Sequence, residues 1–333
     1  MDELSHPESV ERAAGRLAQL LSSPGGGLRE AGGSGLVFEA ELDIRPLERG
    51  SPPAGGTWAV DGGQALVADA RCVQLYVTRW ARVCWRPDGT ATEEVGPLQA
   101  HLLGLGEDRR TLADLGAPVD PAAAVDVNLL RDWSEWSAVE ESVGSAEPGA
   151  LVLVDGDLQP DWRISSSWLA ELFRVAAARD VVLAGVTKHT SLSWGGAPLL
   201  GVLEVVAADA AAGGPGPRSM WWAPVGRTRP DLEPGIQVAV ARLDPDARFA
   251  FRVDLPGGVD AAEVLGRLSA LCDDAAFPGY PYPLSSADRL AACPGWVRDE
   301  TWSRIESLLD DAGIDPALRE RAFADRHRLM ERA

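Results

Sequence analysis

Apolar residues recur with helical spacing over residues 7–22, where Val10, Ala13, Leu17, Leu20 and Leu21 share one side. Glycine-rich breaks follow at Gly25-Gly26-Gly27 and Gly32-Gly33, and residues 36–44 then alternate as a strand does. A loop at 51–56 leads to a strong strand over 57–60. Asp61-Gly62-Gly63 is expected to interrupt it before it resumes at 65–68. Residues 73–85 predict a further strand, and Pro87-Asp88-Gly89 turns the chain into a partner strand near 90–95.

Residues 121–143 predict a helix with Val125, Leu129, Leu130, Trp133 and Trp136 on one face. Next comes Leu151-Val152-Leu153-Val154, an uninterrupted apolar run closed by Asp155-Gly156, the pattern of a strand buried on both faces. A helix over 165–179 and a second buried strand over 181–186 follow, ending at Thr187-Lys188-His189. This strand–helix–strand succession predicts a right-handed crossover in a partly parallel sheet. Residues 208–217 predict a mobile loop. Strands are expected at 220–225, 236–243 and 249–255, and helices at roughly 259–273, 284–292, 298–312 and 315–331. The pattern is α/β with a helical C-terminal region. It predicts an N-terminal helix and lead-in strand over 1–56, a core over 57–293, and C-terminal helices over 294–333 packed on that core.

Composition narrows the function. The apolar share of 46% and charged share of 24% are those of a globular chain with ample core. No apolar run reaches membrane-spanning length and the acidic start Met1-Asp2-Glu3-Leu4 is unlike a signal peptide, so a cytoplasmic protein is expected. Cys72, Cys84, Cys272 and Cys293 have neither metal-site spacing nor histidine partners, and read as reduced thiols. Walker A, GxGxxG and GxSxG patterns are absent, which disfavours NTPase, dinucleotide and serine-hydrolase readings. The net charge of −19 rules out nucleic-acid binding by bulk electrostatics. A DNA substrate would need bound cations, a confined basic channel or a DNA-gripping partner. Among 31 basic residues Lys188 is the single lysine; either chance or a need for a compact ammonium explains it.

Asp61 and Asp155 each close an apolar strand and precede glycine, which lets backbone or substrate approach the carboxylate closely. Two such acids point to cation-assisted phosphodiester hydrolysis, which uses three or four carboxylates around Mg²⁺ or Mn²⁺ ions about 3.5–4 Å apart. A third acid is expected from the preceding helix, which offers Glu135, Glu140 and Glu141. Glu135, between Trp133 and Trp136, lies nearest the apolar side. The plainer reading leaves all three glutamates on a solvated surface.

Five short segments, in order, resemble the NurA nuclease family. They are Ala59-Val60-Asp61-Gly62-Gly63, Val152-Leu153-Val154-Asp155-Gly156-Asp157-Leu158, Gly185-Val186-Thr187-Lys188, Phe251-Arg252-Val253-Asp254-Leu255-Pro256, and Gly279-Tyr280-Pro281-Tyr282-Pro283-Leu284 with Ala287. The resemblance spans roughly residues 57–293. It implies a ribonuclease-H-like mixed sheet flanked by helices and Mn²⁺-dependent exo- and endonuclease activity on DNA. It also implies a homodimer working with a HerA-type hexameric ATPase in DNA end resection. Carried over by motif, Asp61, Asp155 and the helix-borne Glu135 would hold metal, and Lys188 would contact the scissile phosphate or steady a water.

The chain departs from the family at Gln64, where small hydroxyl residues are usual, and at Asp288, where the family commonly has histidine. Asp288 then has two readings: a fourth metal ligand, or the closing residue of a capping box whose N-cap is Ser285. Two alternatives to a DNA nuclease stay open, a catalytically weak structural partner of a HerA-type motor and a ribonuclease-H-like enzyme acting on RNA.

Overall fold

The computed structural model describes residues 7–22, 28–30, 36–39, 43–209, 214–228, 232 and 234–324. In chain order the first elements are α1 (Pro7–Ser22), β1 (Leu28–Glu30), β2 (Val37–Phe38), β3 (Arg45–Pro46), β4 (Thr57–Asp69), β5 (Gln74–Trp85), β6 (Ala91–Val95) and β7 (Gln99–Leu103). The middle holds α2 (Glu107–Leu115), α3 (Val127–Ser145), β8 (Leu151–Asp155), α4 (Ser166–Ala178), β9 (Val182–Thr187), β10 (Leu192–Trp194), β11 (Ala197–Pro198) and α5 (Leu199–Ala208). Then come β12 (Trp221–Thr228), β13 (Ile236–Arg242), β14 (Phe251–Pro256), α6 (Ala261–Ser269), α7 (Tyr282–Ala291), α8 (Gly295–Asp311) and α9 (Pro316–Phe323). Among the described residues no helix is long and apolar enough to cross a membrane.

The chain forms two compact units, neither continuous in sequence. One takes Met1–Ala54, Gly156–Leu158 and Val182–Tyr282; the other takes Gly55–Asp155, Gln159–Val181 and Pro283–Ala333. Residues 57–293 are therefore shared between the two.

In the second unit β6, β5, β4 and β8 lie side by side in that order, with β7 also on β5. β4, β5 and β6 are antiparallel, whereas β8 runs parallel to β4 with Val60 opposite Val154. An antiparallel meander whose first strand then gains a parallel neighbour is the strand order of a ribonuclease-H-like sheet. All four residues of Leu151–Val154 are buried, as a strand covered on both faces requires. α3 packs across β4 and β5. It starts where the Asp126 carboxylate accepts the Leu129 N–H at 3.0 Å, and it buries Leu129, Leu130, Trp136, Val139 and Val143. Trp133 and Trp136 meet the edge of Trp168 on α4, with centroids 5.2 and 6.2 Å away. α8 packs on β4.

The first unit orders β2-β12-β13-β14-β9, with β3 also on β12, and pairs β1, β10 and β11 in a small second sheet. Leu199, Leu203 and Ala207 of α5 pack on Trp221, Ala223 and Val225 of β12. Three of the sequence motifs meet here in one clamp. Arg252, 3% exposed, grips Asp254 at 2.8 Å and Asp157 at 3.1 Å. Thr187 donates to Asp157 at 2.6 Å, and the Leu158 N–H reaches Asp254. A Cβ on Gly185 would come within 2.5 Å of the Gly156 carbonyl oxygen, so only glycine fits beside this loop. Burial pushes the Asp254 carboxyl up to about 6, against the pull of Arg252.

Several expectations are corrected. β4 is not broken at Asp61-Gly62-Gly63 but runs through to Asp69, because its glycines admit packing neighbours and make no turn. The helix expected from 121 begins at Val127. β7, α2 and α5 were not anticipated. α5 carries Val202, Val205 and Val206, whose β-branched character hides its helical period. Ser285 is no N-cap: α7 starts at Tyr282, which puts Ser285 and Asp288 inside the helix and removes the capping-box reading. On α9, Arg319 is tied to Glu306 at 3.3 Å and to Asp310 at 2.6 Å. Residues 40–42 of the expected 36–44 strand and residues 325–331 of the last expected helix lie outside the described residues, as do Arg326, Arg328 and Arg332.

Candidate metal centre

The centre grows from the parallel register of β4 and β8. Val60 stands opposite Val154, so Asp61 and Asp155 are the next pair on neighbouring strands spaced about 4.8 Å apart, with side chains on one face. A third carboxylate arrives from α7. Single oxygens of Asp61, Asp155 and Asp288 all lie within 4.8 Å of one another. Asp61 is 7% exposed, Asp155 half-buried and Asp288 exposed, so the group has a closed floor and an open mouth.

The glycines after Asp61 explain how two helices come so near. A Cβ on Gly62 would sit 2.9 Å from Oε2 and 3.1 Å from Cβ of Glu135, on α3. A Cβ on Gly63 would sit 1.9 Å from the Ala291 carbonyl oxygen, at the end of α7. Successive strand residues face opposite ways. Gly62 thus admits α3 on one face, while Gly63 admits on the other the helix that brings Asp288 to Asp61. The Arg79 guanidinium fastens this corner by donating to the carbonyl oxygens of Ala291, at 3.2 Å, and Ala292.

Electrostatics mark the cluster as strained without a cation. Burial, and then the charge of Asp155, push the Asp61 carboxyl up to about 7. The Gly62 N–H donates to Asp61 at 2.7 Å and opposes the rise, whereas the charge of Asp288 and its hydrogen bond to Asp61 add to it. Glu135, 3% exposed, is raised well above the usual carboxylate range, first by burial and then by Asp61. Arg131, one helical turn earlier, offsets part of this, with Nη1 3.9 Å from Glu135 Oε2. Arg131 is itself held by Asp132 at 2.6 Å, and Asp132 accepts the Asp161 N–H at 2.9 Å.

Of the five residues expected from the sequence, Asp61, Asp155 and Asp288 come together. Glu135 stands beside them against Gly62 rather than within the triad, buried where Glu140 and Glu141 are exposed. Lys188 belongs to the other unit, one residue past β9, exposed, with its ammonium 5.0 Å from the Tyr280 ring centroid. Sequence reasoning missed Arg131, although its i, i+4 spacing to Glu135 was there to be read. A donor set of three hard carboxylate oxygens crowded within 4.8 Å of one another fits a divalent cation of the Mg²⁺ or Mn²⁺ kind.

The strand order and the acid positions define a ribonuclease-H-like α/β fold. Among solved structures the likeness is more particular: the chain shares the fold of NurA nucleases. The NurA nuclease from Sulfolobus solfataricus aligns over 93% of this chain and 96% of its own, with a TM-score of 0.54 and 16% identity. A NurA structure with manganese aligns over 91% of this chain and 98% of its own, with a TM-score of 0.55 and 11% identity. No protein-family model matches the sequence, and no curated protein does.

Proposed function

We propose that this protein is a metal-dependent deoxyribonuclease that hydrolyses phosphodiester bonds at the Asp61–Asp155–Asp288 centre. The observation that carries the reading is the convergence of those three carboxylates from two adjacent strand ends and a helix. The shared fold with NurA nucleases, one of them described with manganese, supports it. Asp61, Asp155 and Asp288 would hold the cation; Glu135, packed against Gly62 outside the triad, would become the fourth carboxylate of a two-metal arrangement only by turning toward Asp61. A bound Mn²⁺ or Mg²⁺ supplies Lewis-acid stabilisation of phosphoryl oxygens and charge that activates water.

The residues of the chain do the rest. Asp61 is fixed by the Gly62 N–H, so its position does not depend on substrate. Arg131, 3.9 Å from Glu135 Oε2, offsets part of the cost of burying that carboxyl beside β4. Lys188 would meet a non-bridging phosphate oxygen as a compact point charge. The rest of the proposal comes from the family resemblance: homodimerisation, action beside a HerA-type hexameric ATPase in DNA end resection, and a cytoplasmic setting. The intact triad argues against a purely structural partner of such a motor.

The test is Mn²⁺-supported digestion of linear duplex and single-stranded DNA, with and without the ATPase. Asp61→Asn and Asp155→Asn are each expected to abolish cleavage while circular dichroism stays unchanged. Wild-type digestion by either variant removes that residue from the site, and cleavage of RNA alone replaces the substrate.

A further inference from the structure

A second feature of the unit that carries the acids remains unused by this reaction. The turn joining β4 to β5, together with α8 and α9, lines a cleft of about 700 Å³. Its charged walls are Arg71, Arg298, Arg321 and Asp69, three cations against one acid in a chain of net charge −19. Trp302 and Phe323 also line it, with ring centroids 5.2 Å apart in an edge-to-face pair.

We propose that this cleft is a binding site for single-stranded DNA, holding the strand that runs to or from the carboxylate centre; the proposal rests on the nuclease reading. Arg71 is the first reason. It sits at the tip of the turn with φ of 68°, a left-handed backbone that arginine rarely adopts. Its side chain is 86% exposed, and its N–H is held by the Asp69 carboxylate at 2.7 Å. A turn built only for compactness would place glycine or asparagine there. Its guanidinium lies 3.7 Å from Asp69 Oδ2, a long and weak contact, and strain at so exposed a cation points to a further task for it. Arg298 is the second reason. It pairs with Asp299, 3.1 Å away and 70% exposed, a contact weak enough to exchange for a phosphate.

The aromatic pair decides between single strand and duplex. Trp302 and Phe323 are each half-buried, and the open part of such a ring can take an unpaired base while arginines beside it track the phosphates. A duplex presents no free base faces to such a wall.

Distance links the cleft to the chemistry. β4 carries Asp61 and continues to the cleft wall at Leu66–Asp69. That is roughly five to eight residues on, or ~17–27 Å at about 3.4 Å per strand residue. At about 3.4 Å per stacked nucleotide, the tract between chemistry and cleft is on the order of five to eight nucleotides. The cleft therefore serves long strands and is out of reach of very short ones.

The experiment uses the full chain. Binding is read by fluorescence anisotropy on labelled oligothymidylates of 4 and 16 nucleotides and on a 16-base-pair duplex, in an Asp61→Asn background that does not cleave. Arg71→Asn, Arg298→Ala and Arg321→Ala are added singly and together. Each single change is expected to weaken binding of the 16-mer about threefold to tenfold and to lower its logarithmic salt dependence by about 0.7. Trp302→Ala should weaken it about tenfold. Arg71→Asn is expected to melt no lower than its parent, since asparagine tolerates that backbone. In the cleavage-competent protein, the triple arginine variant should cut the 16-mer more slowly and the 4-mer at the wild-type rate. Unchanged 16-mer affinity and salt slope in the triple variant overturn the proposal, as does loss of duplex binding alone. Equal loss of cleavage on both lengths also overturns it. If the parent cleaves neither oligomer with Mn²⁺, the nuclease reading has failed, and the anisotropy series still decides whether the cleft binds single strands.

Discussion

Replacing Asp61 by asparagine should make the metal-free protein more stable while abolishing its chemistry. The carboxyl of Asp61 is pushed up to about 7 in the folded chain from an ordinary value of 3.8. A raised acid binds its proton more tightly folded than unfolded. Its contribution is therefore best at low pH and is lost as pH rises through the window from about 4 to 7. At 1.36 kcal/mol per unit, the penalty reaches about 4 kcal/mol at pH 8 and about 2 kcal/mol at pH 5.5, as upper values. Asparagine keeps the shape and removes the charge. In the presence of chelator, thermal melting of Asp61→Asn should exceed wild type at pH 8 by several degrees, at roughly 2–4 °C per kcal/mol, and by about half as much at pH 5.5. Saturating Mn²⁺ should then raise the wild-type melting temperature more than the variant's, because only the wild type offers the full carboxylate set. An Asn variant that melts at or below wild type at pH 8 without metal refutes the frustrated-cluster reasoning. So does a Mn²⁺ shift of equal size in both proteins.

Other expectations follow from the same geometry. Gly63→Ala should destabilise the fold by about 1–3 kcal/mol and lower cleavage, because the new methyl meets the Ala291 backbone on the helix bearing Asp288. Gly62→Ala meets mainly the movable end of Glu135 and should cost less; chemical denaturation giving the reverse order would contradict the two-faced packing. Asp288→Ala should reduce Mn²⁺-supported turnover by at least about 10–100-fold with little loss of melting temperature, and Asp288→His should retain partial activity. Wild-type turnover in Asp288→Ala leaves the centre with two acids. Lys188→Arg should lower turnover by about tenfold if its ammonium meets phosphate, and unchanged steady-state kinetics would return it to a strand-end surface lysine stacked on Tyr280.

How much of this was legible in the sequence depends on whether a signal was local. Asp61 and Asp155 were legible because each closes a run of buried residues, and parallel register then forces the two carboxylates together. Glu135 was one glutamate among three. The choice between burial and solvent was set by which turn of α3 crosses β4, a tertiary fact that helical period alone does not fix. Asp288 had no local mark. With Ser285 it imitates a capping box, and only the start of α7 at Tyr282, between Pro281 and Pro283, shows that the box lies inside a helix. Glycines misled in the opposite direction. Asp61-Gly62-Gly63 has the composition of a turn, yet the strand runs straight through it. Turn chemistry and close packing both select glycine, the first for positive φ and the second for the missing Cβ. Neither Gly62 nor Gly63 has a positive φ, whereas a Cβ on either one would press on a neighbouring helix. The motif is therefore a packing signal read through a turn's alphabet. What it encodes is the approach of the two helices that set Glu135 and Asp288 on either side of Asp61.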